Sequence, residues 1–276
     1  MRSALIIFLN FILIISWGQK HLHQVNFNKK AQAILNRIIR DVIKSPNHYK
    51  SYNLREILHY LARNYSKISE KKWNKLLDIT PCFDDDKLLF PYYQKLHDLY
   101  FRNTLPLDHP LAPRGNGIET LMLAGIYPDS LNFCLFLNQE NNQIYSQSEY
   151  LIRHLAHVAL AINWAESFAS SPLPCISNQI KKHIAESIFK HLNFATNGSD
   201  TWMEGILGIL LMGEILIDNK NIFFEVKNVR CPNGRWRYDP MQNSCKETHE
   251  HPTVLAAWIM AILSKNGTVA NWKWPN

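Results

Sequence analysis

The amino-acid sequence predicts an all-α protein, built as stacked α-hairpins or an α/α-toroid-like array, with one small disulfide-stapled β-turn ribbon near residues 231–245. Three observations lead there. Apolar residues recur at helical spacing in nearly every segment. Glycine accounts for only 10 of 276 residues, about half its usual share, which disfavours a β-protein with a glycine-bearing turn every ~8–12 residues. The one strong tight-turn signal, Asn233-Gly234, is bracketed by Cys231 and Cys245. Hydrophobic residues make up 46% and charged residues 19%. That supplies a full core and is too apolar for a disordered chain.

The first segment reads as an address. Arg2 supplies a positive charge, and Ala4 to Trp17 is an apolar run broken only by Asn10 and Ser16. Ser16 and Gly18 are small residues flanking a cut before Gln19, so residues 1–18 are expected to be a signal peptide. The run is 14 residues, short of the ~20 that cross a bilayer. Residues 19–276 are then expected to form a single mainly helical domain, secreted and extracellular, without a membrane span, with 105–117 as its one point of subdivision. The chain has 30 Lys and Arg against 23 Asp and Glu, formally +7, and losing Arg2 leaves +6.

Residues 28–44 place Ala31, Leu35, Ile38, Ile39 and Val42 on one stripe, opposite Lys30, Arg37 and Lys44. Leu54 to Ala62 repeats the pattern on a smaller scale. Ser69 is placed to cap a segment with Glu70 in its first turn and Trp73, Leu76 and Leu77 following. Leu105 to Gly117, with three prolines and two glycines, is a loop, and Asn116 is placed to cap the apolar run Ile118–Ala124. A long helix spans Ser146 to Phe168. Glu149 sits at capping-box spacing from Ser146, and Leu151, Leu155, Val158 and Ile162 form the buried stripe. Ser171-Pro172-Leu173-Pro174 ends it. Residues 177–194 are amphipathic. Residues 200–217 are apolar almost all round and mark the central helix, with Gly205, Gly208 and Gly213 permitting close packing. Pro252 starts a last helix with Leu255, Trp258, Ile259 and Ile262 facing in. In the ribbon, Arg235-Trp236-Arg237-Tyr238 alternates cation and aromatic, so an extended strand sets both arginines on one side and both aromatics on the other.

Five cysteines follow the signal peptide: Cys82, Cys134, Cys175, Cys231 and Cys245. In an oxidising compartment they pair, and an odd number cannot pair completely. Cys231 with Cys245 is the easiest pair and Cys134 with Cys175 the natural second. Cys82 is left over, free or bridging two chains as a homodimer. Asn64, Asn197 and Asn266 each begin an N-x-S/T sequon and are expected to be exposed glycan acceptors.

Four short elements also occur in a fixed order: Tyr150-Leu-Ile-Arg-His154, Asp200-Thr-Trp202-Met203-Glu204, Cys231 before the aromatic Trp236, and Cys245 followed by His249 ahead of Ala256-Ala257. Together they resemble a family of secreted proteins typified by a thyroid-enriched vertebrate protein encoded by a chromosome-16 open reading frame. The resemblance covers residues 85–265 loosely and 200–260 best. This chain departs from it in having only Cys134 and Cys175 between 115 and 215, and in a Cys245-to-His249 spacing one residue longer. The resemblance implies a secreted, mostly helical protein and points to Tyr150, His154, Asp200, Glu204 and His249 without assigning them roles. It implies no reaction.

Three groups of residues can carry chemistry. Asp200 and Glu204 are i, i+4 on a helix that otherwise buries everything. Paired acids in an apolar cleft do acid–base work, as in glycan-cleaving α/α barrels, with Trp202 and Trp236 as aromatic platforms for sugar. Their bland role is an N-cap (Asp200) and a first-turn acid (Glu204). His154 and His157, with the group His249-Glu250-His251, make two histidine pairs. No metal is assigned to them, because His-Glu-x-x-His is absent, and the bland alternative is a hydrogen-bonded buried His154 and a helix cap at 249–251. Arg230, Arg235, Trp236, Arg237 and Tyr238 form a basic–aromatic patch suited to a sulfated glycan or another anionic partner, or else a solvated face with Trp236 tucked into the core. No dinucleotide fingerprint, other cofactor motif or serine elbow is present, and a secreted protein does not normally meet nucleic acid.

The reading favoured by sequence is a secreted, disulfide-bonded glycoprotein that binds an unidentified extracellular partner. The alternative is a secreted hydrolase or carbohydrate-active protein on an α/α scaffold, using Asp200 and Glu204 with His154 or His249. The alternative requires these side chains to converge. The binding reading expects them dispersed or buried, with the 235–238 ribbon exposed.

Overall fold

The computed structural model describes residues 27–45, 52–76, 118–126, 128–129, 133–141 and 148–270, except 215, 242, 243 and 247. Residues 1–18, Cys82, the loop 105–117 with Asn116, and Ser146 lie outside them. Among the described residues are ten α-helices: α1 (27–44), α2 (Tyr52–Tyr65), α3 (Glu70–Trp73), α4 (Ile118–Ile126), α5 (Phe133–Asn141), α6 (Ser148–Phe168), α7 (Asn178–His191), α8 (Asp200–Leu211), α9 (Asn219–Asn228) and α10 (Glu250–Ser264). One two-residue ribbon, β1 (Trp236–Arg237) and β2 (Thr248–His249), is the sole sheet described. The all-α class follows from the helical periodicity, but on α6 the buried face is Ile152, Ala156, Val158, Ala159 and Ile162, with the expected Leu151 and Leu155 only half-buried. Ala31, Leu35, Ile38, Ile39 and Val42 of α1 are buried, as are Leu58, Leu61 and Ala62 of α2.

The helices pack as a row of neighbours. α6 lies between α4 and α8, α7 packs on both α6 and α8, and α10 joins α8 to α2 while also touching α9 and β1. α8 is central, since every residue from Asp200 to Leu211 is buried. Its glycines explain the close packing. A Cβ on Gly208 would meet Ala156 Cα of α6 at 3.1 Å and Ile188 Cδ1 of α7 at 2.9 Å. α8 ends earlier than the apolar pattern predicts. Gly213 adopts φ +75°, the left-handed conformation that closes a helix, so 212–217 do not extend it. α9 follows, unforeseen in the sequence. Its signal is Asp218, whose side chain accepts from the Lys220 N–H, ahead of the buried set Ile222, Phe223 and Val226.

Two disulfides close the loops, Cys134–Cys175 and Cys231–Cys245, the two pairs that spacing favours. The first ties α5 to the segment before α7. The second staples the turn, in which the Gly234 N–H donates to Cys231 O at 2.9 Å. The ribbon differs from expectation in its partner. β1 pairs antiparallel with residues 248–249, beyond the second cysteine, with Trp236 opposite His249 and Arg237 opposite Thr248. The two aromatics also do not share a face. Trp236 is wholly buried, and its indole N–H donates to Val226 O at 2.7 Å. Tyr238 lies just past the strand and is 39% exposed.

Of the three sequons, Asn197 and Asn266 are exposed. Asn64 is half-buried within α2, and its amide already donates to Tyr60 O at 2.9 Å, which corrects the expectation of an open acceptor there. No helix among the described residues is long and apolar enough to cross a membrane.

Candidate functional site

The N-termini of α8 and α10 meet the first half of α6, and the charged residues of all three converge there. At the start of α8, Ser199 is the N-cap, its hydroxyl accepting from the Trp202 N–H at 3.2 Å. Asp200 is therefore the first helical residue, not the cap, and its carboxylate is free for other work. Its backbone N–H donates to Tyr238 O at 2.8 Å, which pins the ribbon to this helix end. Glu204 lies one turn further on. Both acids are buried, at 2% and 7% exposure.

From α10 comes His251. Its Nδ1 donates to Asp200 Oδ1 at 2.7 Å, since a carboxylate oxygen can only accept, and its Nε2 faces Glu204 Oε1 at 3.7 Å. From α6 comes Arg153, whose Nη2 lies 3.7 Å from Asp200 Oδ2 and whose Nε lies 3.8 Å from Glu204 Oε2. Those separations are beyond hydrogen-bonding range. Arg153 is held instead by two hydroxyls. Its Nε donates to Thr201 Oγ1 at 2.8 Å, and Nη2 donates to the Tyr238 hydroxyl. The guanidinium also lies over the Tyr238 ring, 5.3 Å from its centre. One oxygen of a buried carboxylate, Glu204 Oε2, is thus left with no hydrogen-bond partner.

Burial and the neighbouring Asp200 charge push the Glu204 carboxyl up to about 7. His251 and Arg153 pull the other way without cancelling the rise. Burial disfavours the charged form of His251, but its hydrogen bond to Asp200 and the charges of both acids outweigh that and raise its pKa above the ordinary 6.5. Near neutral pH the cluster therefore has one carboxyl on the point of ionising beside an imidazole whose charged form the two acids favour.

Asp200, Glu204 and His251 present three potential metal-ligating atoms, all within 4.8 Å of one another. The Arg153 guanidinium already faces both carboxylates. A metal ion would have to share them with a fixed positive charge, so this donor set suits proton transfer better than ligation.

The acid pair comes together as its spacing implies, and of the histidines named from sequence His251 joins it, whereas the catalytic candidates His154 and His249 do not. His154 is buried at 6% exposure, pushed down to about 4 by burial and by the nearby His157. Its neighbour Arg153 takes the place at the acids. His249 is exposed on β2, its ring 6.0 Å from that of Tyr238, and His251 reaches Asp200 instead. Trp202 and Trp236, proposed as sugar platforms, are 5% and 0% exposed and belong to the core. The basic patch is divided. Arg230 lies over the Trp236 ring and donates to Gly234 O at 3.0 Å, Arg235 and Arg237 are half-buried, and Tyr238 borders the acid cluster. The residue missed as a candidate, Arg153, had a signal: it shares a face of α6 with His157 at i, i+4, and His157 Nδ1 lies 2.7 Å from Arg153 O. Pro252 fixes the start of α10 and so sets His251 in its first turn. No protein-family model, curated protein or solved structure matches the chain.

Proposed function

We propose that the protein is a secreted hydrolase whose acid–base centre is Asp200, Glu204 and His251, with Arg153 in support. The observation that carries this reading is the pairing of Glu204 Oε2, buried without a hydrogen-bond partner, with His251 Nε2 facing the same carboxylate at 3.7 Å. Glu204, 8% exposed, is reached by water but not by a large substrate, whereas His251, with 40% of its side chain exposed, is reached by both. In this scheme ionised Glu204 takes a proton from water as the oxygen adds to the electrophilic centre of the substrate. The scissile bond breaks, and the His251 imidazolium gives its Nε2 proton to the leaving group. The proton on Glu204 then returns to His251. Asp200 holds the ring through Nδ1, and Arg153 keeps the two carboxylates from repelling one another.

Export is part of the same proposal. It rests on the signal-like residues 1–18 and on the two disulfides, which persist in oxidising compartments. Glycosylation is proposed at Asn197 and Asn266, both exposed. A second reading, an extracellular binding protein, is favoured by the way Arg153 and His251 lie over the acids, since such a cover serves equally as a clamp between helices.

The test is hydrolysis of chromogenic esters, glycosides, amides and phosphate esters by the purified protein. Turnover of one class is expected, lost by about 100-fold or more in Glu204→Gln and in His251→Gln, as for removal of a general acid or base. Equal turnover in wild type and both variants, or none on any class, overturns the hydrolase reading and leaves the binding one.

A further inference from the structure

We infer that the substrate is a neutral oligosaccharide, gripped at a subsite formed by Tyr238, His249 and Tyr150 beside the acid cluster. The inference rests on the hydrolase reading and names its substrate class. Tyr238 borders Arg153, and two further aromatic side chains are placed around it by a ring contact and by helical spacing. Tyr238 carries the guanidinium over its ring and remains 39% exposed. His249, exposed on β2, meets that ring edge-on at 6.0 Å. Tyr150, 59% exposed, lies three residues before Arg153 on α6, and so on the same helical face. Exposed large aromatics beside buried acids suit a sugar ring, whose C–H faces stack on the π-surface while its hydroxyls hydrogen-bond at the rim. Arg153 and His251, the exposed members of the cluster, supply the donors there.

Charge selects among sugars. Arg153 and His251 each face both carboxyls, so both cations of the cluster are already engaged by acids rather than turned to a sulfate or a uronate. That moves the sugar contacts from the buried Trp202 and Trp236 to the surface, and it removes the argument for an anionic glycan at this site. Tyr238 is also built in firmly. Its carbonyl accepts from the Asp200 N–H at 2.8 Å, and its hydroxyl accepts from Arg153.

The experiment is isothermal titration of the full chain carrying Glu204→Gln, which prevents turnover, with maltohexaose, cellohexaose and chitohexaose, and with a heparin hexasaccharide as the anionic comparison. Saturable binding of at least one neutral sugar is expected. Tyr238→Ala weakens it by about tenfold, the upper range for one aromatic contact. Tyr150→Ala weakens it less, and Tyr238→Phe, which keeps the ring, retains most of it. Binding of none of the neutral sugars, preference for heparin, or binding unchanged in both alanine variants overturns the inference. Loss of turnover in Glu204→Gln with no sugar bound would remove the substrate class and leave the hydrolase reading intact.

Discussion

Replacing Glu204 by glutamine should make the protein more stable, but only on the alkaline side of its acid range. The carboxyl is 8% exposed and is shifted from an ordinary 4.5 to about 7. The folded state therefore holds a proton there that the unfolded state has lost. The stability tied to that proton is complete below 4.5 and is lost as pH rises through about 7. Integrated over that interval the loss is about 3 kcal/mol, equivalent to roughly 5–10 °C in Tm for a domain of this size. Glutamine has the same shape and never ionises. The Tm of Glu204→Gln should match wild type near pH 4.5 and exceed it by several degrees at pH 8. His251, also raised, contributes in the same direction as Glu204, whereas the lowered His154 and His157 contribute stability that is lost as pH falls below 6.5. Comparing the two proteins at each pH cancels the His154 and His157 terms, while the part of the His251 shift that Glu204 causes is lost with the carboxylate. Thermal unfolding followed by circular dichroism from pH 4.5 to 8.5 supplies the measurement. A Tm difference that stays constant across the range, or a variant less stable at pH 8, would refute the burial argument.

Other consequences follow from single contacts. Trp236→Phe orphans the Val226 carbonyl and leaves a void where the pyrrole ring packed, so urea unfolding should show a loss of at least about 1–3 kcal/mol. Gly125→Ala places a methyl 2.5 Å from the Ala161 carbonyl oxygen where α4 meets α6, and should cost about 1–3 kcal/mol by the same measurement, because backbone cannot step aside as a side chain can. Because Arg153 is the fixed cation facing both acids, hydrolysis should survive treatment with a strong chelator, as an assay with and without it will show.

Much of the fold was legible because burial here is set by helical periodicity. The stripes of α1 and α10 could be read residue by residue, and so could the central position of α8, whose sequence is charged or hydroxylic only at Asp200, Thr201 and Glu204. What periodicity does not encode is where a helix stops or what meets across the chain. α8 stops at Leu211 because of the backbone angle of Gly213, although the apolar run continues past it. The ribbon takes its partner from beyond Cys245 because the staple holds only the turn, leaving Trp236 to choose a strand while it enters the core. The candidate site divides the same way. Asp200 and Glu204 lie one turn apart on one helix, so spacing alone pairs them. Arg153 comes from 47 residues earlier and His251 from 51 residues later than Asp200, and only tertiary packing selects them over their neighbours His154 and His249. Tyr238 was read as part of a basic patch, yet its function in the structure is to hold Arg153.

The most direct test is the titration of Glu204 itself. The 13C carboxyl resonances of glutamate-labelled protein, followed by NMR from pH 3 to 9 and assigned by the signal missing in Glu204→Gln, should show one midpoint near 7. That midpoint should fall in Asp200→Asn, because a neighbouring negative charge has been removed. A Glu204 midpoint in the ordinary range of about 4–5, unmoved by Asp200→Asn, would contradict the proposed acid–base centre.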